Sequence, residues 1–264
     1  MSSAAAAPAQ LYGDPSEVAS EALDVLVASN PNLRRIDASD PTIKVVVDAS
    51  SLENKSGGVV VLAGGGSGHE PMAAGYVGPG CLSGAIAGDV FASPSTDAVR
   101  AALRAFKTRD VLLLVNNYTG DRLCFGAAAE AARAEGQSVE VVFVSDDVAL
   151  LQKEEGEGNA ASDVSDADER EDSLYALSRR RARGLAGCIL VFKIAGAAAA
   201  ADGGKATLAQ VAAVARRAAD SLATMGLATS ACALPGLAPP ADRLDIPGAV
   251  ELGMGLHGEA GAEV

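Results

Sequence analysis

Residues 58–71 read Gly-Val-Val-Val-Leu-Ala-Gly-Gly-Gly-Ser-Gly-His-Glu-Pro. The first half, Gly58 to Ala63, is a short β-branched run with the character of a strand. The second half, Gly64 to Pro71, is a glycine-rich turn where an α/β sheet puts its ligand-binding loops. Its glycines let the backbone approach a small polar ligand and offer N–H groups to it. Working outward, similar strand-like runs recur at 44–48, 110–116 and 139–144. Between and before them lie helical patterns at 15–28, 95–106 and 121–135, the second with Ser95 or Thr96 as N-cap. Strand and helix alternate, which predicts an α/β fold with a mostly parallel sheet flanked by helices.

The pattern breaks at 154–172, where nine acidic side chains face only Arg170 in a background of Gly, Ser, Asn and Ala, the mark of a solvated, flexible loop. Arg179, Arg180, Arg181 and Arg183 follow. Such a basic cluster can hold an anion, but pairing with the acidic neighbour is the preferred reading. Helical patterns return at 184–201 and 207–225, then an extended stretch at 227–234 and a Pro-rich turn at 235–247. The division expected is a disordered tail at 1–14, a first α/β subdomain at 15–150, a flexible loop and basic helix start at 151–183, and a partial second α/β subdomain at 184–264.

Composition bounds the function. The 264 residues carry 34 acidic and 21 basic side chains, a formal net charge of -13, which excludes a basic nucleic-acid binder. With 49% hydrophobic residues the chain can bury a core, built from Val, Leu, Ile and Ala because aromatics are only 3%. There is no run of about 18 apolar residues, so no membrane-spanning helix is expected. The opening Met-Ser-Ser-Ala-Ala-Ala-Ala-Pro lacks the pattern of a leader. Cys81, Cys124, Cys188 and Cys232 are widely spaced in apolar settings, which suits buried thiols and a cytoplasmic location.

Three segments carry chemistry. The glycine turn matches neither G-x-G-x-x-G, since position 69 is His, nor a P-loop, which needs Lys-Ser/Thr. A histidine closing such a turn, His69, points to function beyond turn-making. Asn116-Asn-Tyr-Thr-Gly-Asp121 again ends an apolar strand and precedes a helix. Asp121 alone would be explained by the helix dipole, but its place after a strand, like that of His69, sends both to one sheet edge. The third is Gly253-Met-Gly-Leu-His257-Gly-Glu259, holding the second of only two histidines. A neutral imidazole nitrogen can add to a small ketone and give a hemiaminal. No metal site is expected, because no H-x-x-x-H or similar spacing is present.

In order along nearly the whole chain, Asn30-Pro-Asn-Leu-Arg34, Gly64 to Pro71, Gly88-Asp-Val-Phe-Ala-Ser-Pro94, Asn117-Tyr-Thr-Gly-Asp121, Arg183-Gly-Leu-Ala-Gly187, Lys193-Ile-Ala-Gly-Ala197 and Gly255-Leu-His-Gly-Glu259 resemble the substrate-binding K domain of dihydroxyacetone (glycerone) kinases. The resemblance implies that His257 holds dihydroxyacetone as a covalent hemiaminal. It implies that Gly66, Ser67, Gly68 and His69 contact the substrate, with His69 as proton acceptor, and that Asp121 binds and activates the attacking hydroxyl. Asn116 is expected in the substrate site, standing where the family has Lys, so that a charged contact is lost and transfer weakened. Cys124 and Phe192 replace a family Asn and His, with effects expected on packing.

The resemblance further implies that this chain binds no cofactor. The phosphoryl donor, ATP with Mg²⁺ or a phosphorelay partner, belongs to a separate L domain or subunit. A homodimer is expected, with dihydroxyacetone as the ligand and glyceraldehyde an open addition. The family's K domain continues past its covalent histidine, whereas here Val264 lies seven residues on; the second subdomain is therefore expected to be incomplete. The competing expectations are a non-catalytic, ketone-binding regulatory paralogue and an inactive fragment.

Overall fold

The computed structural model describes residues 13–54, 57–149, 182–237 and 248–262. The acidic stretch 154–172, Arg179 to Arg181 and residues 1–12 of the expected tail lie outside them. Helix α1 (Val18–Ser29) leads into β1 (Leu33–Ile36), β2 (Lys44–Asp48), α2 (Ala49–Glu53), β3 (Val60–Ser67), β4 (Gly84–Val90), α3 (Thr96–Ala105), β5 (Val111–Asn116), α4 (Thr119–Ala134) and β6 (Val139–Val144). Helices α5 (Gly187–Ala200) and α6 (Leu208–Asp220) follow, then the two-residue strands β7 (Leu227–Ala228) and β8 (Glu251–Leu252).

Six strands form one sheet in the order β1-β2-β4-β3-β5-β6. The strands β4, β3, β5 and β6 run parallel, and β2 and β1 extend the sheet antiparallel. The α/β expectation is met. Side-chain alternation along each strand builds two cores. Val61, Ala63, Leu112, Leu114, Val142 and Val144 face Leu23 of α1 and the inner stripes of α5 and α6. Val60, Leu62, Val111, Leu113 and Val115 face α3 and α4. A strand covered on both faces needs an unbroken apolar run, which is why 60–63 and 111–115 contain no polar residue. Each fully buried Leu or Val contributes about 1.5–3 kcal/mol of transfer free energy.

Helices α5 and α6 differ from the expected second subdomain: they cover one face of this same sheet. The stripe Cys188, Phe192, Ala195 and Ala199 recurs every three or four residues and packs inward. Phe192 is buried edge-on to Tyr76. Asp146, after β6, accepts hydrogen bonds from the Leu185 and Gly187 N–H groups, each at 2.8 Å, where a carboxylate complements the start of α5. Thr207 and Gln210 close α6 with a capping box. Of the extended stretch expected at 227–234, only Leu227 and Ala228 pair as strand.

The sequence reading missed β1, α2 and β4. Cys188 is buried, Cys81 and Cys124 are partly so, and Cys232 is exposed, against the expectation of four buried thiols. Among the described residues no helix is long and apolar enough to cross a membrane.

The closeness of α5 to the loop before β4 rests on Gly196, whose added Cβ would collide with the Cys81 backbone. Gly196→Ala should therefore lower stability by about 1–3 kcal/mol despite alanine's better helix propensity. A urea titration would read this as a lower midpoint at unchanged slope, and an unchanged or higher midpoint would contradict the packing described.

Candidate active site

Strands β3 and β5 are parallel neighbours, with Gly64 opposite Val115. Their C-terminal ends therefore reach the same edge, where Gly66 and Asn116, in the last residues of the two strands, meet His69 and Asp121 from the segments that follow. The third part comes from the far end of the chain. Gly253 N–H donates to Gly226 O at 2.7 Å, Ala262 N–H to Leu252 O at 2.8 Å, and Gly261 N–H to the buried Glu251 carboxylate at 2.5 Å. Arg183, buried and paired with the wholly buried Asp147 at 2.6 Å, donates from Nη2 to Gly253 O at 2.7 Å. Arg183 is thus a structural clamp on this segment, not a solvated helix start.

So held, Leu256 and His257 roof a cavity of ≈ 310 Å³ lined also by Gly66, His69, Phe91, Ser93, Asn116 and the turn from Tyr118 to Asp121. The two imidazoles meet there, with 3.3 Å between their Nε2 atoms. Glu259 holds His257 from behind: its carboxylate lies 3.0 Å from Nδ1 and accepts the His257 backbone N–H at 3.0 Å. Nδ1 therefore carries the ring proton, and Nε2 keeps its lone pair toward the cavity. His69 is then the donor of the pair through its Nε2–H.

Phe91 stacks on His69 with centroids 5.3 Å apart and 14° between planes. It meets His257 edge-on at 5.2 Å, and Tyr118 does so at 5.3 Å from another side. Phe91 adopts a φ of 60°, unusual for a bulky residue, with its N–H donating to Ser67 O at 2.9 Å. Beside it Gly68, at φ 98°, leaves room for the ring, since a Cβ there would lie 2.7 Å from Phe91 Cε1.

Burial, with the nearby His257, holds His69 below the usual imidazole range, so it is uncharged at neutral pH. Burial pushes Asp121 up to about 6, against the lowering effects of a Ser93 hydrogen bond and His257. Burial also raises Glu259, but the hydrogen bonds it accepts, foremost from the His257 ring, bring it below the ordinary carboxylate value. The Tyr118 hydroxyl is pushed well up by burial and by Glu259. Asn116 Oδ1, Asp121 Oδ1 and the Tyr118 hydroxyl are buried without a hydrogen-bond partner. In a native site such atoms await a ligand or water. The arrangement offers an imidazole nitrogen with a free lone pair, a neutral imidazole and a basic carboxylate around a small polar cavity.

Of the residues expected in the site, Gly66, His69, Asn116, Asp121 and His257 line the cavity. Ser67 and Gly68 do not: the buried Ser67 hydroxyl donates to Gly88 O at 2.8 Å, and Gly68 N–H turns to the Glu70 carboxylate. Sequence reasoning passed over Phe91, Ser93, Tyr118 and Glu259 as site residues. Tyr118 and Glu259 sat inside quoted motifs, and their spacing from Asp121 and His257 was the signal available. Phe91 follows β4, a strand without a β-branched run. Among the described residues no group of three or more His, Cys, Asp or Glu is placed to hold a metal ion.

The model of the Dak1 domain matches residues 24–164 and 170–264. A putative 3,4-dihydroxy-2-butanone kinase of Solanum lycopersicum is 45% identical over 256 residues, which are 97% of this chain and 38% of that protein. The dihydroxyacetone-binding subunit DhaK of a PTS-dependent dihydroxyacetone kinase of Listeria innocua is 40% identical over 210 residues, 79% of this chain and 56% of that subunit. Among solved structures, the dihydroxyacetone kinase of C. freundii in complex with AMP-PNP and Mg²⁺ superposes with a TM-score of 0.78 at 41% identity, over 97% of this chain and 42% of that one. The chain thus spans well under half the length of the two larger enzymes. The likeness runs through the sheet and on into the segment that carries His257, rather than stopping at the glycine-rich turn, and the chain belongs to the Dak1 domain family.

Proposed function

We propose that this chain is the dihydroxyacetone-binding component of a glycerone kinase, holding the ketone covalently on His257 while a donor carried by a separate domain phosphorylates it. The observation that carries the reading is the His257 imidazole, with Nδ1 engaged by Glu259 and Nε2 directed at the cavity beside His69 Nε2. Attack of Nε2 on the carbonyl carbon forms a C–N bond, the carbonyl electron pair moves to oxygen, and that oxygen takes a proton. Covalent capture selects carbonyl compounds over polyols that lack one. It also fixes a terminal hydroxyl in place, and positioning is what phosphoryl transfer depends on. Asp121, with Oδ1 free, accepts that hydroxyl, and the uncharged His69 serves as proton acceptor beside it.

Asn116 Oδ1 is a further hydroxyl acceptor, uncharged where the family has Lys, and Gly66 lends backbone to the same wall. Ser67 and Gly68 support the turn rather than the ligand in this reading. Glyceraldehyde carries a carbonyl of similar reach and is the second substrate proposed. ATP with Mg²⁺, or a phosphorelay partner, supplies the phosphoryl group from the donor domain. A cytoplasmic homodimer is carried over from the family resemblance.

Incubation with dihydroxyacetone, borohydride trapping and intact-mass measurement should give one adduct on the wild type and none on His257→Ala. No adduct on folded wild-type protein would defeat the reading. With a purified donor domain, ATP and Mg²⁺ the chain should yield dihydroxyacetone phosphate; capture without product would mark a regulatory ketone binder instead.

Holding Asp121 as a buried base costs the fold stability. Because the folded pKa of Asp121, about 6, exceeds the ordinary 3.8, the folded protein keeps this proton in a pH window where the unfolded chain has lost it. Stability from this group is therefore complete below the window and is lost as pH rises through it. Asp121→Asn should be neutral at pH 4 and stabilising by about 1–3 kcal/mol at pH 7, with phosphorylation lost. Wild-type turnover should fall as pH drops below about 6. Denaturant titrations at the two pH values check this, and an equal effect at both would refute it.

A further inference from the structure

We propose that Glu259 is the residue that makes His257 a nucleophile, fixing its ring tautomer in the resting site and taking the Nδ1 proton as the ketone adds. This rests on the ketone-capture reading above. The carboxylate spans the histidine with both oxygens, Oε1 at 3.0 Å from Nδ1 and Oε2 at 3.0 Å from the backbone N–H. The loop is built for that reach. Gly258, between the two, adopts a φ of 84°, which lets the chain double back. Gly255 N–H donates to Glu259 O at 2.9 Å, and a Cβ at Gly255 would collide with the Glu259 carboxylate and the Arg183 guanidinium.

The other tautomer, with the proton on Nε2, would leave His257 without a lone pair toward the cavity. It would make His257 the donor to His69 Nε2 across the 3.3 Å between them, tying up the nitrogen that faces the cavity. The step balances within the site. Nε2 bonds to the carbonyl carbon, the carbonyl electron pair moves to oxygen, which takes a proton from water, and Nδ1 gives its proton to Glu259. Glu259 then returns that proton to the hydroxide left in solvent, so the net change is one proton moved from imidazole to the hemiaminal oxygen, and no co-reactant is consumed.

The titratable groups facing the His257 ring are Glu259 on its own loop, His69 from the turn after β3, and Tyr118 and Asp121 from the turn after β5. Of these only Glu259 is in contact with Nδ1. An orienting carboxylate of this kind, removed by amide replacement, costs about 10⁴-fold where it has been measured in a hydrolase triad.

The test compares wild type with Glu259→Gln and Glu259→Asp by ¹⁵N NMR of the histidine rings without ligand, and by the rate of adduct formation with dihydroxyacetone. Glu259 is partly exposed, and circular dichroism confirms that each variant is folded. The wild type should show His257 as the Nδ1–H tautomer. Glu259→Gln should shift it toward Nε2–H and slow capture by about 10²–10⁴-fold, while Glu259→Asp should recover part of the rate by retaining the base. An unchanged tautomer, or capture within twofold of wild type in Glu259→Gln, would overturn the proposal. A tautomer lost in the variant, with no capture in either protein, would support the clamp and count against the ketone reading.

Discussion

The buried ion pair between Asp147 and Arg183 is the constraint on which the site depends. The segment from Gly248 to Ala262 has two residues of strand and one buried apolar side chain, Met254, so packing alone does little to fix it. Its position is set by polar bonds, and Arg183 joins the sheet to that segment through Asp147 on one side and Gly253 O on the other. Burying two charges carries a desolvation cost of several kcal/mol per ion, offset when geometry is good and the remaining donors are satisfied. A hydrophobic pair could give equal stability, but it could not aim a backbone carbonyl, and so could not aim His257.

Much of the architecture was legible because the physics was local. The runs at 44–48, 110–116 and 139–144 match the observed strands to within a residue, since β-branched apolar residues flanked by polar ones admit few other conformations. The edge shared by His69 and Asp121 followed from two strands entering two turns. What stayed hidden was non-local. Strand β4, Gly-Ala-Ile-Ala-Gly-Asp-Val, has little strand propensity of its own and is held by β2 and β3 on either side. Helix α6 carries an amphipathic pattern that says which face is buried but not against which sheet, and α5 is apolar almost all round, with Lys193 its one charged residue, so its sequence does not say even which face is buried. Ser67 reads as a ligand contact in any glycine-rich turn; only the carbonyl of Gly88 across the neighbouring strand tells that its hydroxyl points inward.

The same composition that makes the core unusual shapes the site. Small residues let elements approach to backbone contact, as at Gly64 against Ile86 and Gly184 against Asn116. Aromatic rings are scarce, with five Phe, four Tyr and no Trp in the chain, yet Phe91 and Tyr118 both stand against one imidazole. Phe91 is kept in a backbone conformation that costs of order 1–3 kcal/mol for a non-glycine residue. Together with the raised pKa of Asp121, this describes a site maintained against the stability of the fold, as expected where groups are held for chemistry rather than for packing.

The Asp147–Arg183 pair also has a topological meaning. Asp147 N–H donates to Arg183 O at 3.1 Å while the side chains pair, so the end of β6 and the approach to α5 are pinned together there, next to the bonds that Asp146 accepts from Leu185 and Gly187. The described residues beside the pair are tied to the fold as well: Val148 N–H donates to Thr224 O at 3.0 Å, and Asn117 Nδ2 donates to the Ala182 carbonyl at 2.6 Å. Of the net charge of -13, residues 148–182 carry nine acids and five bases, a net of only -4. The remaining -9 is spread over the rest of the chain, so the acidity belongs to the molecule as a whole, while the pin between Asp147 and Arg183 acts locally, tying the end of the sheet to the segment that carries His257.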